Sequence, residues 1–315
     1  MLFRNEKLRP LLAILCALGW SLAYPFIKLG YGELQIDSAD LGSKILFAGI
    51  RFFAAGLLVL AFSAVQKRKL AVTRKEVPWL TLFALVNTAL HYLFSYIGLS
   101  YIPSARSTIL DSIGSFFLII LSGLFLEDDT FSVKKIAGCL LGFCGILTIS
   151  ITPGGGLFSG ISFLGDGMIL LNACCAAGGG ILTRFISKKM DMMTATGYGM
   201  SAGGLMLLLV GLMVGIRQPW NLSLWGVTIL FVLVLISAVC FGIYNMLLAN
   251  HPISKVAIYN SLIPVFGVMF SSLLLREPFS WQYILAAGLT AAGVGPDPGC
   301  AFDDHGARAV CGSLL

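Results

Sequence analysis

Residues 123–132 read GLFLEDDTFS and residues 273–280 read LLLREPFS. Each is an apolar run closed by a glutamate, Glu127 or Glu277, with Phe-Ser shortly after. The likeness extends backwards. Pro103 aligns with Pro252; three residues on, Arg106 meets Lys255; eight on, Asp111 meets Asn260; nine on, Ser112 meets Ser261. Glu127 lies 24 residues past its proline and Glu277 lies 25 past, and a glycine follows each glutamate by 11 residues, at Gly138 and Gly288. Apolar composition alone does not reproduce small, polar and charged positions in step. The chain therefore reads as a duplicated five-helix unit over 1–152 and 163–295, with a tail over 296–315.

The solvent of this chain is largely lipid. Of 315 residues, 57% are hydrophobic and 11% charged, against about 25% charged in soluble domains. A membrane helix takes roughly 20 apolar residues. Ten candidate spans meet that requirement, at 10–30, 44–65, 78–99, 104–125, 133–151, 163–186, 196–216, 225–249, 254–275 and 280–295. Helices suit them because backbone groups in lipid must bond within their own segment. The fold class expected is all-α integral membrane, with ten helices as two inverted five-helix repeats. Arg4, Lys7 and Arg9 before the first run resemble a signal peptide, but nine further spans favour an uncleaved first helix.

With the N-terminus in the cytoplasm, fourteen Lys and Arg fall on inner segments, Lys67, Arg68, Lys69, Arg74 and Lys75 of one loop among them. Only five fall outside: Lys28, Lys44, Arg106, Arg217 and Arg276. The positive-inside rule selects that orientation in a cell membrane. The net charge of +6 thus reflects topology, and no nucleic-acid partner is expected. Five being odd, the two copies enter the membrane from opposite sides, as in many secondary transporters whose substrate site lies near the midplane. Of the eight Cys, Cys16, Cys139, Cys144, Cys174, Cys175 and Cys240 lie in apolar runs, form no C-x-x-C pair and read as small buried hydrophobes; no metal site and no cofactor are expected.

Ionisable residues inside spans are costly and mark function. At a helical rise of about 1.5 Å per residue, Arg51 lies roughly 10 Å in from the outer end of its span, with His91 and Asp111 at similar depths. Arg51 suits an anionic substrate group through a bidentate contact. Asp111 or His91 suits a coupling proton. The plainer alternatives are that Arg51 and Asp111 neutralise each other as a packing pair, and that His91 is a hydrogen-bonded core residue. Trp20 and Tyr24, four apart, share a helix face. Asn172, Tyr244, Asn245 and Asn260 are uncharged groups suited to lining a cavity. The substrate-binding candidates are Arg51, Trp20, Tyr24, His91, Asp111, Asn172 and Asn260.

Glycine numbers 36, and the pairs Gly138/Gly142, Gly199/Gly203 and Gly211/Gly215 favour close helix packing. The run AAGGG at 176–180 suggests a thin or bendable sixth span. Residues 199–203 match G-x-S-x-G, so an intramembrane hydrolase with Ser201 as nucleophile is one competing class. That motif belongs at a strand-to-helix turn, which an apolar helix does not supply. A channel is another; no filter loop or ring of charge supports it. The expectation is a non-enzyme.

Three stretches, GWSLAYPFIK (19–28), FAGIRFFAAGLLVL (47–60) and SYIGLSYIPSAR (95–106), together with the two opening motifs, carry a resemblance to the ten-helix, EamA-type branch of the drug/metabolite transporter superfamily. The resemblance implies carriage of small organic molecules, such as amino acids or related amphipathic compounds, more often by export. ATP is not its energy source, in keeping with a chain that holds no G-x-x-x-x-G-K-[ST] phosphate loop. It also leaves room for proton coupling and for a homodimer through the tenth helix. The chain departs from the family after Val294: GPDPGCAFDDHGARAVCGSLL replaces the usual apolar continuation. Residues 296–315 are therefore expected to be disordered or non-native to the fold.

Overall fold

The structure, a computed structural model, describes residues 2–126, 160–276 and 281–293. Glu127, Glu277, the fifth predicted span and the tail from 296 lie outside the described residues. Among the described residues all regular structure is helical. Eight helices are long and apolar enough to cross a membrane: α1 Arg9–Glu33, α2 Leu41–Val65, α3 Val77–Leu99, α4 Ser104–Phe125, α5 Phe163–Ser187, α6 Met192–Val214, α7 Leu224–Asn250 and α8 Ile253–Leu275. A ninth, α9, runs over Trp281–Gly293. The first four are the first four predicted spans; α5 to α9 are the sixth to tenth.

Four of the helices are capped at their starts by a short polar side chain. Asp40 accepts from the Ser43 amide at the start of α2, and Asp191 from the Thr194 amide at the start of α6. Ser162 and Ser223 serve α5 and α7 in the same way, accepting from Gly165 and Gly226. Amides at a helix start have no partner within the helix, and a Ser or Asp cap satisfies one of them for about 1 kcal/mol.

The most intimate contact joins α2 to α6. It runs along six glycines, Gly42, Gly49 and Gly56 on α2 and Gly197, Gly204 and Gly211 on α6. Seven residues make about two helical turns, so each trio lies on one face. A Cβ placed on Gly49 would come 2.7 Å from the Leu208 backbone nitrogen, and one on Gly211 2.8 Å from that of Leu46. Gly56 abuts the Ser201 backbone, Gly204 that of Phe53, and Gly42 that of Gly215. The pairing is antiparallel, with Gly42 opposite Gly211 and Gly56 opposite Gly197. Between apolar helices in lipid there is little hydrophobic gain, so backbone approach of this kind supplies the attraction.

Around this seam α1 packs on α7 and α8, α5 packs on α3 and α4, α2 touches α7, and α6 touches α3. The run AAGGG on α5 lies in tight packing: Gly178 meets Val86, Gly179 meets Asn87 and Gly180 meets Leu118.

Gly204→Val, which forces a branched side chain into the backbone of α2, is expected to abolish monodisperse protein on size-exclusion chromatography. Gly32→Ala, at a helical position with open space around it, should leave yield and melting temperature unchanged.

Candidate functional site

Three helices lose regularity at one level. α3 widens into a π-helical turn over Leu85–Leu90, which carries Asn87 and delivers His91. α4 breaks at Ser112, immediately after Asp111. α8 tightens into a 3-10 turn over Ile258–Ser261, which carries Asn260. Irregular backbone at membrane depth persists where it is buried in protein or lines a cavity, and π turns recur at functional sites. Here the three irregularities border a cavity of about 110 Å³.

Of the residues singled out in the sequence, Trp20, Tyr24, Arg51, His91, Asp111 and Asn260 all line this cavity. Asn172 stands behind Asp111 and donates its amide to the carboxylate. The Tyr24 hydroxyl stands beside the same carboxylate as a second neutral donor. Asn260 donates to the Tyr244 hydroxyl at 2.7 Å. Arg51 and Asp111 form no ion pair with each other; among the described residues the ion pairs are Arg68–Asp191 and Arg106–Asp166.

The Arg51 guanidinium, at the cavity wall, is anchored to protein groups on two of its nitrogens. Its Nε donates to Ser237 Oγ at 2.7 Å and to the Leu233 carbonyl at 3.3 Å, its Nη1 donates to the Tyr96 hydroxyl at 3.1 Å, and it lies 4.9 Å from the centre of the Phe52 ring. Three transmembrane helices are tied through one side chain.

Several cavity groups were not among the sequence candidates: Asn87, Tyr92, Ser112, Ser115 and Phe241. Asn87 was legible in principle as a lone amide in an apolar run; nothing local marks the others. Three buried polar atoms on lining residues have no hydrogen-bond partner: Trp20 Nε1, Asn87 Nδ2 and His91 Nδ1. Buried polar atoms are nearly always paired.

The cavity is off-centre. Leu118, Gly180, Asn245 and Leu248 line it within seven residues of the ends of their helices, on the face that carries the chain's N-terminus. The opposite end is shut. Tyr31, Phe47, Tyr96 and Trp220 form an aromatic cluster there. Arg106 clamps Asp166 through two bonds of 2.7 and 2.9 Å, joining α4 to α5. Lys28 of α1 donates to the Ile102 carbonyl. Asp40 accepts the Arg217 amide; partial burial opposes its ionisation, but bonds from Ser43 and Arg217 outweigh that and hold its carboxyl below the usual range.

Ser201 lies inside α6, packed on Gly56, and not at a strand-to-helix turn. Among the described residues no group of His, Cys, Asp and Glu could hold a metal ion.

Comparison with known proteins points one way. The chain matches the EamA-like transporter family over residues 8–151 and again over 163–295. It is 29% identical over 295 residues to a transporter of Synechocystis, covering 88% of each chain. It is 30% identical over 288 residues to a WAT1-related chloroplastic protein of Arabidopsis thaliana, covering 88% of this chain and 68% of that one. The S-adenosylmethionine/S-adenosylhomocysteine transporter of Chlamydia muridarum is 22% identical over 306 residues, with 92% of each covered. A solved crystal structure shares the fold, with a TM-score of 0.68 at 13% identity over 92% of this chain and 96% of that one.

Arg51→Ala should lower stability by about 2 kcal/mol, three bonds at the modest values found between membrane helices. A denaturant titration in detergent reads this, and Arg51→Lys should recover only part of the loss.

Proposed function

The chain belongs to the EamA-like transporter family, and from that premise we propose that it is a secondary carrier moving small organic metabolites by alternating access between two inverted five-helix halves, 1–152 and 163–295. The observation that carries the reading is the cavity itself. It sits at three helix irregularities, is lined by polar and ionisable side chains, extends toward one face and is closed at the other. A carrier caught in one of two exchangeable states has these properties, whereas a channel needs a path open at both ends.

Duplication has independent support. The family match occurs twice, beginning at residues 8 and 163, an offset of 155. The glycines of α2 recur on α6 at that same offset, 42 to 197, 49 to 204 and 56 to 211. Exchanging α1 with α5, α2 with α6, α3 with α7 and α4 with α8 maps each helix contact described above onto another. Since α2 and α6 run antiparallel, that exchange turns the membrane over, which is the symmetry an inverted repeat requires. The breaks at Asp111 and in the turn holding Asn260 fall at aligned positions of the two halves.

Multi-pass membrane insertion follows from the family and from the eight apolar helices. The Lys and Arg bias supports a cytoplasmic N-terminus, so the cavity extends toward the cytoplasm. Export is the direction that the family resemblance favours, and a cavity loaded from the cytoplasm suits it. Asp111 and His91 are the residues able to carry a coupling proton. One relative's named substrates, S-adenosylmethionine and S-adenosylhomocysteine, are amino-acid derivatives, consistent with an amphipathic metabolite here.

The test is a metabolite profile of the medium around cells making the wild type or Ser115→Phe, which fills the cavity with a ring. One compound class should be raised by the wild type and return to background in the variant, with both proteins equally abundant in the membrane. An unchanged profile in Ser115→Phe would overturn this site. Separately, Arg106→Ala should speed the cycle's opening at the shut face, read as increased labelling from outside of a cysteine placed at Ser95.

A further inference from the structure

The charges of the cavity are not presented evenly. Arg51 is 1% exposed, with Nε and Nη1 engaged by Ser237, Leu233 and Tyr96 and its plane over Phe52. Two of its nitrogens are thus spent on protein partners, although its side chain also borders the cavity. Asp111 differs. It keeps partial exposure, and it lines the cavity. Its two partners, the Tyr24 hydroxyl and the Asn172 amide, are neutral donors. Among the described residues no cation lies within ion-pair distance of it. An ionised carboxylate offers about four acceptor positions, so two donors leave room for a ligand.

The walls around Asp111 point the same way. Trp20, Tyr24, Tyr92, Phe241 and Tyr244 all line the cavity. Trp20 meets Phe241 at 5.5 Å and Tyr244 at 4.8 Å between ring centres, edge to face. Aromatic faces are electron-rich and attract ammonium-like groups, more strongly when water is excluded. The same faces, with a carboxylate beside them, repel an anion.

We infer that the carried molecule is an amphipathic organic cation, with its ammonium- or sulfonium-type group against Asp111 and its apolar body along Trp20, Phe241 and Tyr244. This rests on the carrier reading and names its substrate class. It assigns Asp111 as the charge-selecting residue and Arg51 as a positioning residue that holds α2, α3 and α7 together behind the site.

The test uses purified full-length protein in detergent and three probes of one shape: benzyltrimethylammonium, benzyl alcohol and benzoate. Melting temperature is followed against probe concentration. The cation should raise it saturably, with little response to the neutral or anionic probe. Asp111→Asn, which keeps the size of the side chain, should weaken the cation's apparent affinity at least ~10-fold, the loss of one desolvated charge contact. If that variant does not fold, the three-probe comparison on the wild type decides alone. A response to benzoate or benzyl alcohol equal to that of the cation overturns the assignment, as does an undiminished cation response in Asp111→Asn. So does the absence of any saturable response to the cation. None of these results touches the carrier reading, which stands or falls on whether the wild type raises one compound class in the medium.

Discussion

The glycine seam between α2 and α6 is the contact on which the rest of the architecture depends. Both helices are largely apolar, and apolar residues in a bilayer have no preference for protein over lipid. Six positions without a Cβ let the two backbones meet over most of their length, and that close packing gives the helices a fixed register. With Gly49 and Gly204 paired at the middle, the seam is its own mirror under exchange of the two helices. α3 and α7 then dock on either side, α6 against α3 and α2 against α7. Larger side chains along the seam would push α2 outward and carry Arg51 away from Ser237 and Tyr96. The geometry of the site is thus set by backbone contact on another face of the same helix.

Different physical signals made different parts of this molecule legible in advance. Long apolar runs marked the spans, because a membrane helix has nowhere to hide a run of polar residues. The alignment of Pro103 with Pro252 exposed the likeness between α4 and α8, where polar residues are sparse enough to be matched. The glycine seam escaped notice because its signal is spaced at seven residues. A search for G-x-x-x-G found Gly199/Gly203 and Gly211/Gly215 instead. Of these, Gly199 and Gly203 face Phe83 and Thr88 of α3, while Gly211 belongs to the seam.

The site was half visible for a related reason. A lone acid, a lone arginine or a lone histidine stands out in apolar sequence, so Asp111, Arg51 and His91 could be named. Their relative roles could not, because role depends on where each side chain turns. Asp111 turns to the cavity and Arg51 turns to Ser237, and both outcomes are consistent with the same depth along a helix. Tyr92, Ser115 and Phe241 carry no mark at all, since serine and aromatics are ordinary in membrane helices. They become cavity residues only through the breaks in α3 and α4.

The two halves share a backbone plan but divide the chemistry unequally. Both seam helices keep their glycines, whereas Arg51 of α2 has a methionine, Met206, at the matching offset. Asp111 has an asparagine, Asn260, in its place in the second half, and Asn260 is spent on Tyr244. Symmetry in packing and asymmetry in charge serve separate needs. In the alternating-access cycle proposed above, exchange of conformations would require only that the backbones of the halves be alike, so that the face sealed by Arg106, Asp166 and the Tyr31–Phe47–Tyr96 cluster opens as the other closes. Selection requires a single charge, because a second carboxylate at Asn260 would bind a cation as tightly on the far side of the same cavity and hold it through the turnover. In the carrier proposed above, a single Asp would give the ligand one place to bind and no second place to be caught.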